Sequence, residues 1–152
     1  MSKNTKFENI LVPLDGSEYS IKAVEYAGRM AKGFNSKLIA LYILPSSIRY
    51  NLSSNKENSG INSQFNQIIQ VSYIEAQNWL KDIGKKIDIE IITEVIIADE
   101  SIVSEIIEFA ERRSIDLIVM GTRGRTGFKK LLLGSVASGV VTYAHCPVLV
   151  IR

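Results

Sequence analysis

GTRGRTGFKKLLLGS, residues Gly121 to Ser135, follows the apolar run IDLIVM at 115–120 and leads into a second apolar segment. The run is short, branched and bounded by polar residues, which is the pattern of a strand buried on both faces of a parallel sheet. Gly121 and Gly124 then allow φ > 0 and close approach of the backbone, and Gly134 with Ser135 stands where a helix begins. A helix start offers unpaired N–H groups and the positive end of a macrodipole, so the stretch reads as a phosphate cradle. The spacing G-x2-G-x9-G-S differs from both GxGxxG and GxxxxGK[ST]. At ordinary glycine frequency it arises by chance in fewer than about 1% of chains of this length.

Upstream, residues 7–12 (FENILV) read as strand 1, ending at Pro13, which cannot continue a central ladder. Gly16 permits a turn and Ser17 can cap helix 1, whose Ala23, Val24, Ala27, Met30 and Ala31 share one face. Asn35 is a left-handed stop, and strand 2 covers residues 37–44. Residues 45–63 are rich in Ser and Asn and read as a flexible insertion, either a lid or dispensable. A long amphipathic helix 2 follows through Phe65, Ile68, Ile69, Ser72, Ala76, Trp79, Leu80 and Ile83, closed by Gly84 or the lysines after it. Strand 3 runs somewhere within 87–97, where Ile87, Ile89 and Ile91 alternate with Asp88 and Glu90, as in an edge strand with one wet face.

Asp99 or Ser101 can cap helix 3, which turns Ile102, Ile106, Phe109 and Ala110 to the core before strand 4 at 115–120. Helix 4 runs from Ser135 through Val140 and Tyr143, and PVLVI at 147–151 forms strand 5. Five strands alternating with four helices predict a doubly wound α/β fold: a five-stranded parallel sheet with helices on both faces. Ligands in such sheets bind at the carboxyl ends of the strands, where the strand order reverses. The loops with ligand-binding chemistry follow strands 1 and 4. If both serve one site, these strands are neighbours and the order is 3-2-1-4-5.

A chain of 152 residues suits a single domain spanning 1–152. Eighteen basic residues scattered among sixteen acidic ones leave no footprint for nucleic acid or an anionic membrane. With no long apolar run and no signal-peptide core, a cytoplasmic protein is expected. Cys146 has no cysteine partner in the chain and reads as a packed small hydrophobe. His145, without ligand-spaced partners, reads as structural, and Trp79 as core or interface. Arg123 and Arg125 either reach a triphosphate as charge-assisted donors or point into solvent, and Lys129 and Lys130 read as solvated.

The segments ILVPLDGSEYS, IDLIVMGTRGRTG, LLGSVASGVV and HCPVLVIR, with a strand 2 ending near Ile43, resemble the universal stress protein family over nearly the whole chain. The resemblance implies an adenine nucleotide alpha hydrolase-like fold and a site for ATP, or for AMP or ADP, between strands 1 and 4. Backbone at Ile43 would meet the adenine, Pro13, Leu14 and Asp15 would line the ribose, and Met120 would border base or sugar. Gly121, Gly124, Gly134, Ser135 and Val136 would hold the phosphates. Asp15 suits ribose hydroxyls or a bridging Mg²⁺, since a bare carboxylate repels phosphate. The loop after strand 3, which usually begins with glycine in this family, here begins at Ala98.

A cradle with no evident general base, nucleophile or metal cluster points first to a regulatory protein whose conformation or oligomeric state answers to nucleotide. The alternatives are a slow Mg-dependent ATP hydrolase using the same site, and a nucleotide-free interaction module. The terminal strand, apolar and near the chain end, leaves an edge that an antiparallel copy can pair, predicting a homodimer.

Overall fold

The computed structural model describes residues 6–45, 47, 59–124 and 133–152, and for 59–66 and 68 the backbone only. The elements in order are β1 (Asn9–Leu14), α1 (Glu18–Phe34), β2 (Lys37–Leu44), α2 (Ser59–Ile87), β3 (Ile91–Ile97), α3 (Ile102–Arg112), β4 (Leu117–Gly121), α4 (Ser135–Tyr143) and β5 (Val148–Ile151). Every strand pair is parallel and the order is β3-β2-β1-β4-β5, as the placement of the two loops predicts.

Successive residues of a strand point to opposite faces, and here both faces are covered. Ile10, Val12, Leu38 and Ala40 meet Ala23, Val24 and Ala27 of α1 and Ala76 and Leu80 of α2. Leu11, Ile39, Leu41 and Ile118 meet Ile106 and Phe109 of α3 and Val140 of α4. Two-sided burial is why the central strands read as continuous apolar runs.

Among the described residues, three non-glycine residues have positive φ, Asn35 (56°), Asp88 (51°) and Ser114 (49°). Each follows a helix and precedes a strand, the left-handed stop that ends a helix and turns the chain. At Asn35 the following Ser36 N–H returns to the Ala31 carbonyl at 2.9 Å. At Ser114 the Ile115 N–H returns to Ala110 at 2.9 Å.

Strand 3 lies within 87–97 and at a sheet edge, as read, but it occupies Ile91–Ile97, and the alternation ahead of it belongs to a turn through Asp88: α2 continues past Gly84 and the lysines to Ile87. Ile87 and Ile89 anchor that turn in the core on the α1 and α2 side, which left an alternating pattern without a strand. At its other end α2 starts at Ser59, so residues 59–63 of the expected insertion are helical. The rest of that stretch, apart from Pro45 and Ser47, lies outside the described residues.

Pro13 is the second correction, since β1 runs through it to Leu14. Lys37 N–H donates to the Glu8 carbonyl at 2.8 Å, so even-numbered residues of β1 face β2 and odd-numbered ones, Pro13 included, face β4. The β1–β4 register consists of Ile10↔Leu117 and Leu11↔Ile118. It stops where the next donor on that side would be the N–H that proline lacks. Pro13 therefore sits in a central strand at the place where the sheet opens into a crevice.

Candidate functional site

The crevice at the carboxyl ends of β1 and β4 widens into a cavity of about 320 Å³. Pro13, Leu14 and Asp15 border it from β1 and its loop, and Ile43 from β2. Met120, Gly121, Arg123 and Gly124 line it from β4 and its loop, and Gly134, Ser135 and Val136 from the start of α4. All eleven residues singled out in the sequence thus share one wall system. Sequence reasoning passed over Ser20, Leu41, Tyr42, Pro45, Ile102, Ile106, Thr122 and Ala137, which line the same space. Ile102 and Ile106 carried a visible signal, an i, i+4 apolar pair on α3, but it reads equally as core. Thr122 lay inside the glycine motif, where it was treated as a spacer.

Helix caps differ at the two ends of the site. The Ser17 hydroxyl accepts from Ser20 N–H and caps α1, and Ser101 does the same for α3 through Ser104 N–H. At α4 the cap residue is Gly134, with φ −69° and ψ 164° and no side-chain hydrogen bond to the first turn. The opening amides of α4 therefore meet the cavity without a side-chain oxygen over them, the arrangement that suits an anion.

The glycines serve space and not handedness. Gly16, with φ 86°, is the one described glycine that uses positive φ, so the expected left-handed role of Gly121 and Gly124 is not what the backbone adopts. A Cβ on Gly121 would run into Tyr19, one on Gly124 would lie 2.9 Å from Asp15 Oδ2, and one on Gly134 would lie 3.2 Å from the Thr122 carbonyl oxygen. Each glycine lets one loop touch the next.

The loops are also tied by hydrogen bonds. Asp15 Oδ1 accepts from Ser17 N–H at 2.9 Å, and the Ser17 hydroxyl donates to the Arg123 carbonyl at 3.4 Å. Gly134 N–H donates to the Thr122 carbonyl at 2.6 Å, and Thr122 N–H to Ile151 at 2.8 Å. The Arg123 guanidinium lies over the Tyr19 ring, 5.9 Å from its centre. Arg125, Lys129 and Lys130 lie outside the described residues.

The lining is of two kinds: the side chains of Leu41, Ile43, Ile102, Ile106, Val136 and Ala137 are hydrocarbon, while Asp15, Thr122, Arg123 and the α4 amides are polar. His145 and Cys146 are not part of it. A ring nitrogen of His145 is 3.1 Å from the Ile115 carbonyl, a structural contact at the entrance to β4. Burial, and then the Asp116 carboxylate, push the Cys146 thiol above its ordinary pKa, so it is less reactive than a free thiol.

The model of the universal stress protein family matches residues 6–152. The chain belongs to the universal stress protein family. Universal stress protein MJ0531 of Methanocaldococcus jannaschii is 36% identical over 146 residues, covering 96% of this chain and 82% of the relative. Among solved structures, the universal stress protein UspA from Lactobacillus plantarum has a TM-score of 0.79 at 25% identity, covering 98% of this chain and 100% of its own. A universal stress protein crystallised in complex with cAMP has a TM-score of 0.65, also at 25% identity, with 97% and 98% covered. Among the described residues, no helix is long and apolar enough to cross a membrane.

Proposed function

We propose that this universal stress protein binds an adenine nucleotide, ATP in particular, across the β1–β4 crevice and acts as a regulator through the bound state. The observation that carries the proposal is the mixed lining of the cavity, hydrocarbon side chains together with the uncapped opening amides of α4. A base fits the first and phosphates the second, and a family relative has been crystallised with cAMP.

The backbone supports adenine among the bases. Lys37 N–H pairs with β1 and the Leu44 carbonyl accepts from Ala98 beside β3, so odd-numbered residues of β2 face β1. The β1–β2 register ends at Leu14↔Tyr42, which leaves the Ile43 carbonyl reaching past the end of β1. A carbonyl there accepts from an exocyclic amino group, as in adenine, and repels the carbonyl that guanine carries at the same place. The hydrocarbon side chains of the lining read no polar edge.

Asp15, on the loop after β1, suits the ribose hydroxyls as acceptor. With a triphosphate, Mg²⁺ would neutralise phosphate charge and take Asp15 as its protein ligand, one carboxylate being a common share for that ion. The nucleotide would touch both β1 and β4, so occupancy biases how the two halves of the sheet sit together. We place the protein in the cytoplasm, where adenine nucleotides are abundant.

The second half of the proposal is a homodimer through β5. Ile118 N–H donates to Pro147 and Thr122 N–H to Ile151, so odd-numbered residues of this segment face β4. The backbone groups of Val148 and Val150 accordingly point outward along a sheet edge, with Val141, Tyr143 and Leu149 exposed beside them. Antiparallel pairing with a second copy would satisfy that edge and cover those side chains.

Mass spectrometry of nucleotide released by denaturing the purified protein, with calorimetric titration of ATP and AMP with and without Mg²⁺, tests the binding. Saturable binding of adenine nucleotide is expected. Well-folded protein that binds neither would leave an interaction module whose glycines serve only loop packing.

A further inference from the structure

Tyr19, in the first turn of α1, meets the β4–α4 connection in two ways. Its Cβ and backbone pack on Gly121, and its ring lies under the Arg123 guanidinium. The neighbouring Ser17 holds the Arg123 carbonyl through its hydroxyl. Main chain and side chain of Arg123 are therefore both held from the start of α1, at the wall of the cavity.

We infer that Tyr19 is a positioning residue for Arg123, and that the pair makes affinity at this site depend on how many phosphates the nucleotide carries. The inference rests on the nucleotide reading above. A guanidinium is planar: an aromatic ring takes its face, while its N–H donors lie in the plane and meet phosphate oxygens two at a time. An arginine seated on a ring also gives up less side-chain freedom when it grips an anion than one that moves in water. The tyrosine hydroxyl has no part in this, because the ring face supplies the attraction. Nor does the contact with Gly121 need the ring, because it is made by Tyr19 Cβ and backbone, which a leucine keeps.

The test is calorimetric titration of adenosine, AMP, ADP and ATP against the unaltered protein and against Tyr19→Leu, Tyr19→Phe, Arg123→Gln and the Tyr19→Leu/Arg123→Gln pair. Affinity of the unaltered protein is expected to rise by about tenfold or more from AMP to ATP, the scale of one charge-assisted pairing. Tyr19→Leu should shrink that ratio by about three- to tenfold and leave adenosine within about twofold. Tyr19→Phe should restore the full ratio. Adding Tyr19→Leu to Arg123→Gln should change nothing further, since the two act as one unit.

Equal weakening of all four ligands by Tyr19→Leu would overturn the inference, showing a purely structural role. So would an unchanged ATP to AMP ratio, or Tyr19→Phe behaving like Tyr19→Leu. If adenosine and the nucleotides all fail to bind the unaltered protein, the nucleotide reading itself falls and takes this inference with it.

Discussion

A Cβ placed on Gly121 would stand 2.6 Å from the Cβ of Tyr19 and 2.7 Å from its carbonyl carbon. Both obstacles are fixed to the first turn of α1, so neither can swing aside. Gly121→Ala is expected to cost about 1–3 kcal/mol of stability through overpacking. For a domain of this size, that lowers the melting midpoint by about 2–4 °C per kcal/mol, as thermal unfolding would read.

Gly124 gives the opposite expectation. The nearest atom to a Cβ there is Asp15 Oδ2 at 2.9 Å, the far end of a side chain that can rotate away. Gly124→Val should leave stability within about 1 kcal/mol of the original while lowering nucleotide affinity by about tenfold or more. Unchanged affinity would remove Gly124 from the site.

Trp79 is the chain's single tryptophan, and its ring meets Tyr42 edge-to-face with centroids 5.7 Å apart. Tyr42 in turn lines the cavity. Adding ATP should produce a saturable change in tryptophan emission whose midpoint matches the calorimetric affinity. Emission that is flat while calorimetry shows binding would mean that β2 does not respond to occupancy.

Cys146 supplies a pH dependence. Burial disfavours its thiolate first, and Asp116, held by the N–H groups of Glu8 and Asn9, disfavours it further. The folded thiol thus titrates above the unfolded one. Its contribution to stability is complete below the unfolded thiol pKa, about 8.5, and is lost as pH rises through the folded value. Alkylation at pH 8 should be slower in the folded protein than in urea, and Asp116→Asn should speed it. Equal rates would refute the shift.

The outer edge of β5 can be tested with one substitution. Val150 faces away from β4, so Val150→Pro removes an outward N–H and leaves the β4 ladder untouched. Sedimentation should show a dimer for the unaltered chain and a monomer for Val150→Pro, with little change in the far-UV spectrum. A dimer that survives the proline uses another surface.

Sheet order was legible because two loops carried chemistry and could serve one site only if their strands were adjacent. That the eleven candidate residues would gather around one cavity was legible for the same reason: glycine, aspartate and serine at strand ends are spaced by backbone geometry, which local sequence records. Other features depended on contacts that local sequence does not record. Ile87 and Ile89 alternate as a strand would, yet tertiary packing gave them to a turn, and Asp88 took the left-handed conformation that closes α2. Pro13 obeys the rule that proline does not donate to a ladder, and breaks the inference that the strand must therefore end. The space that Gly121 leaves for Tyr19 is set by residues about a hundred positions apart, so no local pattern announces it.

The opening at Pro13 bears on how the folded chain is made and kept. Asp116 accepts from the N–H of Glu8, 108 positions away, and two registered pairs join the strands they flank. Closing so long a loop costs entropy before its contacts repay it, so joining β4 to β1 belongs late in folding. A nucleotide across that junction would bind the closed chain and not the unfolded one, adding about 2.7 kcal/mol at a hundredfold excess over Kd. The lifetime of the protein against proteolysis then becomes a gauge of the nucleotide supply: turnover quickens as the supply runs down.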